Sequence, residues 1–129
     1  MSHSYKDLIV WQKATGLAVR IYYVTDCFPR KEIYNLTSQL RRAAVSVASN
    51  IAEGQGRLTR GEFLHFLGQS RGSLLELQTQ LVISVELKYL SKEQLQELEL
   101  RTSEVLRLLN GLIESPRSQA AAASGSSIT

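Results

Sequence analysis

The 129 residues, 43% hydrophobic and 21% charged, suit one ordinary globular domain rather than two cores or a disordered chain. No apolar run approaches the roughly 18 residues that cross a bilayer, Ser2 through Asp7 lack the apolar stretch of a secretory signal, and the lone Cys27 excludes an internal disulfide or multi-cysteine metal site, so a cytoplasmic location is expected. The net charge of +3 is unevenly spread: residues 1–60 carry nine Lys/Arg against four Asp/Glu and residues 61–129 six against eight, the mark of a nucleic-acid partner or of a solvated face.

Apolar spacing predicts four helices. The first runs from an N-cap at Asp7 to about Cys27, with Val10, Trp11, Ala14, Leu17, Ala18, Ile21 and Phe28 on one side and Phe28-Pro29 ending it. The second spans about Ile33 to Glu53 and stops at Gly54, whose missing side chain suits the left-handed conformation that follows many helices. Thr59-Arg60-Gly61-Glu62 has the form of a capping box and opens a third helix reaching about Leu87. Ser91-Lys92-Glu93-Gln94 repeats the device, and Leu95, Leu98, Val105, Leu106, Leu109, Leu112 and Ile113 carry the fourth toward Pro116. Residues 1–116 are thus expected to form the bundle domain, and 117–129, rich in Ala, Ser and Gly, a disordered tail.

Short links between long helices predict an all-α fold, an antiparallel up-down four-helix bundle. The second helix carries a main stripe (Leu36, Leu40, Ala44, Val47, Ile51) and a flank (Val45, Ala48, Ala52), wider than the roughly 100° a bundle helix needs. The third has its core stripe at Phe63, Phe66, Leu67, Leu74, Leu77, Leu81 and Val85, with Leu64, Leu75 and Val82 beside it and Gly68 and Gly72 four residues apart. The surplus predicts self-association through Arg41, Val45, Ala48, Ala52, Gly68 and Gly72.

Tyr5-Lys6-Asp7-Leu8-Ile9-Val10-Trp11-Gln12-Lys13, the run from Leu36 through Gly54, Glu62-Phe63 through Leu67, Gly72-Ser73-Leu74-Leu75-Glu76, and Leu109-Asn110-Gly111-Leu112-Ile113 form a set of segments. Together they resemble the four-helix-bundle proteins of intervening sequences in bacterial 23S ribosomal RNA genes. The resemblance covers about residues 5 to 115. It implies a bundle that assembles into rings, usually homopentamers, with no established enzymatic activity and no cofactor. It also implies kinship with accessory proteins of diversity-generating retroelements, which work beside a reverse transcriptase and bind RNA or DNA. The chain departs at Ala48, where the family often has proline, leaving the second helix straighter, and at Gln55, where an aromatic is frequent.

Motifs for chemistry are sparse. Glu62-x-x-His65 has the spacing of a di-iron ligand pair, but that site needs two such motifs and only His3 and His65 exist, so no metal is expected. Gly54-Gln55-Gly56-Arg57 follows a helix and lacks a Walker ending. Ser46, Ser49 and Cys27 have no recognisable base partner, so the chain does not read as an enzyme. Trp11 and Tyr22 read as core, with Tyr23 on the polar side. Ser38, Arg42, Ser46, Ser49 and Glu53 share one face of the second helix, fit to line a subunit contact or a central opening. Arg41 lies near the apolar flank and there needs a carboxylate or backbone acceptor.

Two function classes follow. One is a nucleic-acid-binding accessory protein whose oligomer repeats a weak basic patch of Lys13, Arg20, Arg41, Arg42, Arg57 and Arg60. The other is a protein scaffold whose arginines serve its own interfaces.

Overall fold

The computed structural model describes residues 4–115 as four helices: α1 (Ile9–Thr25), α2 (Leu36–Gln55), α3 (Arg60–Glu86) and α4 (Lys92–Ile113). The expected tail and His3 lie outside the described residues. Single 3-10 turns at Tyr5–Asp7 and Arg30–Glu32 lead into α1 and α2. Each helix packs on its predecessor and α4 closes onto α1, so the four occupy the corners of a square. This is the predicted up-down four-helix bundle, and there is no strand among the described residues.

The predicted stripes meet along the axis of that square. Ala14, Leu17 and Ile21 of α1, Leu40, Val47 and Ile51 of α2, Leu67, Leu74, Leu77 and Leu81 of α3, and Leu98, Val105 and Leu109 of α4 are all buried. Each large aliphatic side chain so removed from water stabilises the bundle by about 1.5–3 kcal/mol before entropy is counted.

Helix ends depart from expectation in four places. Asp7 is not the cap of α1: it closes the 3-10 turn capped by Ser4, and Leu8 precedes α1 with no side-chain cap. The start of α2 moves from Ile33 to Leu36 because Pro29, with φ fixed at −56°, opens the 3-10 turn instead. Gly54 does not end α2. It is buried within the helix, φ is negative, and a β-carbon built there meets Phe66 Cβ at 3.2 Å and the Phe63 carbonyl at 3.3 Å, so glycine serves close approach of α2 to α3. Phe28 lies beyond α1 yet is buried against the Tyr89 ring. The two capping boxes differ: Ser91 and Gln94 make both reciprocal bonds, whereas Thr59 only accepts from the Glu62 amide.

The α3–α4 link turns on Lys88 at φ 65°, which lets the Tyr89 and Leu90 amides reach the Ser84 carbonyl. Tyr89 then donates its hydroxyl to Glu32 Oε2 at 2.8 Å. That hydrogen bond, followed by burial and the Glu32 charge, raises the phenol's pKa above its ordinary 10.0. A pKa raised by folding stabilises the fold below pH 10 and loses that contribution as pH rises through the folded value. Ultraviolet titration should therefore show Tyr89 ionising late, and Tyr89→Phe should remove both that signal and its share of the alkaline stability loss. An unchanged titration curve in Tyr89→Phe would discard the assignment.

Candidate functional site

An open groove of about 600 Å³ runs between α1 and α2. Both helices carry a second set of residues spaced four, three and four apart, and the two sets face each other: Trp11, Thr15, Ala18 and Tyr22 on α1, Arg41, Val45, Ala48 and Ala52 on α2. The alanines keep the floor low while Tyr5, Trp11, Val19, Tyr22 and Tyr23 build an apolar rim, with Tyr5 and Trp11 edge to face at 5.2 Å. The groove continues into a polar hollow with Glu53 and Arg57 at one end and one with Ser38, Arg41 and Arg42 at the other.

Of the residues predicted for self-association, Val45 is 42% exposed and Ala48 and Ala52 are half-buried in this groove. Tyr22, read from the sequence as core, is instead 46% exposed on the rim because it stands on the α2-facing edge of α1, beyond the buried stripe. Trp11 is half-buried and packs on the core from the groove side. Arg41 finds the predicted acceptors: Nε donates to Thr25 Oγ1 at 2.9 Å, Nη2 lies 3.5 Å from the Tyr22 carbonyl and 3.8 Å from Asp26, and the guanidinium covers the Tyr22 ring at 4.7 Å. Sequence reasoning missed Tyr5, Thr15 and Val19. The spacing of Trp11, Thr15, Ala18 and Tyr22 is the signal that marks this face.

A second apolar strip lies on the outer edge of α3. Leu75 is 50% and Val82 45% exposed, Leu64 is half-buried, and added β-carbons at Gly68 and Gly72 meet nothing within 4 Å. Arg71 and Gln78, in the same row, bond Asn110 and Thr102 of α4, which places the strip along the α3–α4 edge. That edge and the α1–α2 groove are opposite sides of the square.

The six cations do not converge on one patch within the subunit. Lys13 meets Glu104 at 3.5 Å and Arg20 meets Glu97 at 2.9 Å, both across the α1–α4 edge. Arg57 pairs with Glu53 at 3.0 Å and lies over the Phe66 ring. Arg42 donates to Ser38, and neither it nor Arg60 has a carboxylate partner among the described residues. The polar face of α2 divides similarly: Ser46 turns to Ser73 of α3 at 2.9 Å, and Ser49 lines the groove. His65 is exposed beside Gln69, and no group of three His, Cys, Asp or Glu among the described residues could hold a metal. No helix among them is long and apolar enough to cross a membrane.

The fold is similar to the crystal structure of a protein with unknown function from the S23 ribosomal protein family of Bacteroides thetaiotaomicron, with a TM-score of 0.74 and 23% identity over 83% of this chain and 100% of that one. No curated protein matches the chain. The family model for the 23S rRNA-intervening sequence protein matches residues 6–111, which include the Trp11 to Tyr22 and Arg41 to Ala52 rows that build the groove. The chain therefore belongs to the 23S rRNA-intervening sequence protein family.

Proposed function

We propose that this protein is a non-enzymatic, self-assembling scaffold subunit of the cytoplasm, in which the α1–α2 groove of one copy receives the α3 strip of the next. The observation that carries the reading is the presence of two unlike apolar surfaces on opposite sides of one bundle. A two-fold dimer would need one self-complementary patch, whereas unlike patches join head to tail, into a ring where the rotation from copy to copy closes and into an open filament where it does not. Gly68 and Gly72 on the strip admit the aromatic rim closely. Five subunits is the number the family resemblance implies.

Light scattering during gel filtration should give a multiple of 14.4 kDa, five for the pentamer. A 14.4 kDa species at micromolar concentration would overturn the proposal.

A second reading, nucleic-acid binding by the ring, is supported by Arg42 and Arg60, which lack carboxylate partners among the described residues. Lys13, Arg20 and Arg57 contribute only where phosphate displaces Glu104, Glu97 and Glu53, so affinity for RNA or DNA should be low and carried by repetition around the ring. For a single strand, log affinity should fall with log salt by about 0.7 per phosphate contacted, and Arg42→Ala with Arg60→Ala should flatten the slope. No binding at low salt removes this reading and leaves the scaffold. A protein partner such as a reverse transcriptase is what the family resemblance implies under either reading.

A further inference from the structure

The α3 strip holds a row with the same spacing as the groove. Leu75, Thr79, Val82 and Glu86 stand four, three and four residues apart, as do Arg41, Val45, Ala48 and Ala52 on α2. All four residues of the α3 row are exposed. Thr79 suits an apolar groove because its hydroxyl already donates to the Leu75 carbonyl at 3.1 Å within its own helix, so it carries no unpaired donor into a contact. Glu86, at the C-terminal end of the row, forms no ion pair among the described residues. The groove is lopsided in charge. At the start of α2 it opens into a hollow lined by Arg41 and Arg42 and by no carboxylate, while its other end holds Glu53, paired with Arg57. It is lopsided in shape as well, since the bulky Tyr5 and Trp11 pair stands at the Glu53 end, beside Ala52.

We infer that, in the head-to-tail assembly proposed above and resting on it, α3 of one copy enters the groove of the next antiparallel to α2. Glu86 then meets Arg41 and Arg42, Val82 lies against Val45, Thr79 against Ala48 and Leu75 against Ala52. This orientation joins a carboxylate and the negative end of the α3 dipole to two guanidiniums and the positive end of α2. It also brings Gly72, one turn before Leu75, to the Tyr5 and Trp11 rings, where the missing side chain leaves them room. The reverse orientation sets Glu86 beside Glu53 and Leu75 beside the guanidiniums. Phosphate reaches Arg42 in such a ring only where it displaces Glu86.

The test uses the full chain carrying Cys27→Ser, because Cys27 is exposed and would cross-link by itself. Val45→Cys together with Val82→Cys places two thiols opposite each other at every joint, and treatment with oxidised glutathione should give a ladder of covalently joined subunits on a non-reducing gel. Both valines are exposed, so neither cysteine disturbs the core. Ala52→Cys together with Glu86→Cys reports the reverse orientation and should not cross-link. In the antiparallel register Leu75 faces Ala52, and the helix from there to position 86 is about 16 Å long, whereas a disulfide needs α-carbons within about 7 Å. Arg42→Glu and Glu86→Arg should each weaken assembly about tenfold, and the two together should restore it. A silent Val45 and Val82 pair, or a cross-linked Ala52 and Glu86 pair, in a chain that light scattering shows to be assembled overturns this orientation and leaves the assembly standing. A double charge variant no tighter than either single one overturns the pairing of Glu86 with Arg42. Single chains in the Cys27→Ser parent remove the orientation and the assembly together.

Discussion

Ala48→Glu should convert the proposed assembly into single chains of 14.4 kDa while leaving the bundle folded. Ala48 sits half-buried on the groove floor between Val45 and Ala52, facing Trp11, Ala18 and Tyr22. In an isolated subunit the new carboxylate can extend along the open groove into water, and glutamate is a good helix former, so the cost to the fold is small. Once a second copy covers the groove, that carboxylate is desolvated with no cation one turn away, because Arg41 stands seven residues back and is already engaged by Thr25 and the Tyr22 ring. An uncompensated buried charge costs several kcal/mol, and each 1.4 kcal/mol is a factor of about ten in affinity. Assembly should weaken by at least about a hundredfold. Light scattering reads the mass and a circular-dichroism melt reports the subunit; a folded variant of unchanged mass would take Ala48 out of the contact.

Gly54→Val should lower the unfolding free energy by about 3 kcal/mol, toward the upper end of what overpacking costs. A β-carbon at this site stands 3.2 Å from Phe66 Cβ, 3.3 Å from the Phe63 carbonyl oxygen and 3.6 Å from Leu67 Cδ2. A side chain could rotate away, but the Phe63 oxygen belongs to the backbone of α3 and yields only if the two helices separate. Separation opens the contact around Ile51, Phe63 and Leu67, all buried. Gly72→Ala is the matched control. It meets no atom within 4 Å and gains up to about 1 kcal/mol of helix propensity in the isolated subunit. Urea unfolding of the two variants should move the midpoint in opposite directions, and a Gly54→Val midpoint equal to the parent's would show that α2 and α3 do not depend on this approach.

Gly54 also shows why some of the fold was illegible in the sequence. A glycine late in a helix suits a left-handed end and a close helix contact equally, and only the neighbour across the gap decides between them. Lys88 is the converse, a left-handed turn carried by a residue that gives no local sign of it. Asp7 lost its expected place because Ser4, three residues earlier, caps a turn of its own. The core, by contrast, was legible almost residue by residue, since burial follows helical spacing. The flank of α2 was legible too, but its counterpart on α1 borders the buried stripe, so helical spacing placed Trp11 and Tyr22 with the core; Trp11 does pack against it, whereas Tyr22 is exposed on the rim. The charge asymmetry along the chain changes when the chain folds. α4, which is acidic, lies beside α1, so Glu104 and Glu97 answer Lys13 and Arg20, and a surplus visible in one dimension is partly cancelled in three.

In the ring proposed above, the opposite placement of groove and strip would give every joint a polarity. A subunit with a damaged groove, such as Ala48→Glu, still offers an intact α3 strip to its neighbour. Mixed with normal chains, it adds at one end of a growing arc and leaves nothing for the next copy to enter, as a chain terminator does in polymerisation. A ring needs every joint, so a minority of such subunits disables a majority of rings, and a defect at this surface behaves as dominant rather than recessive.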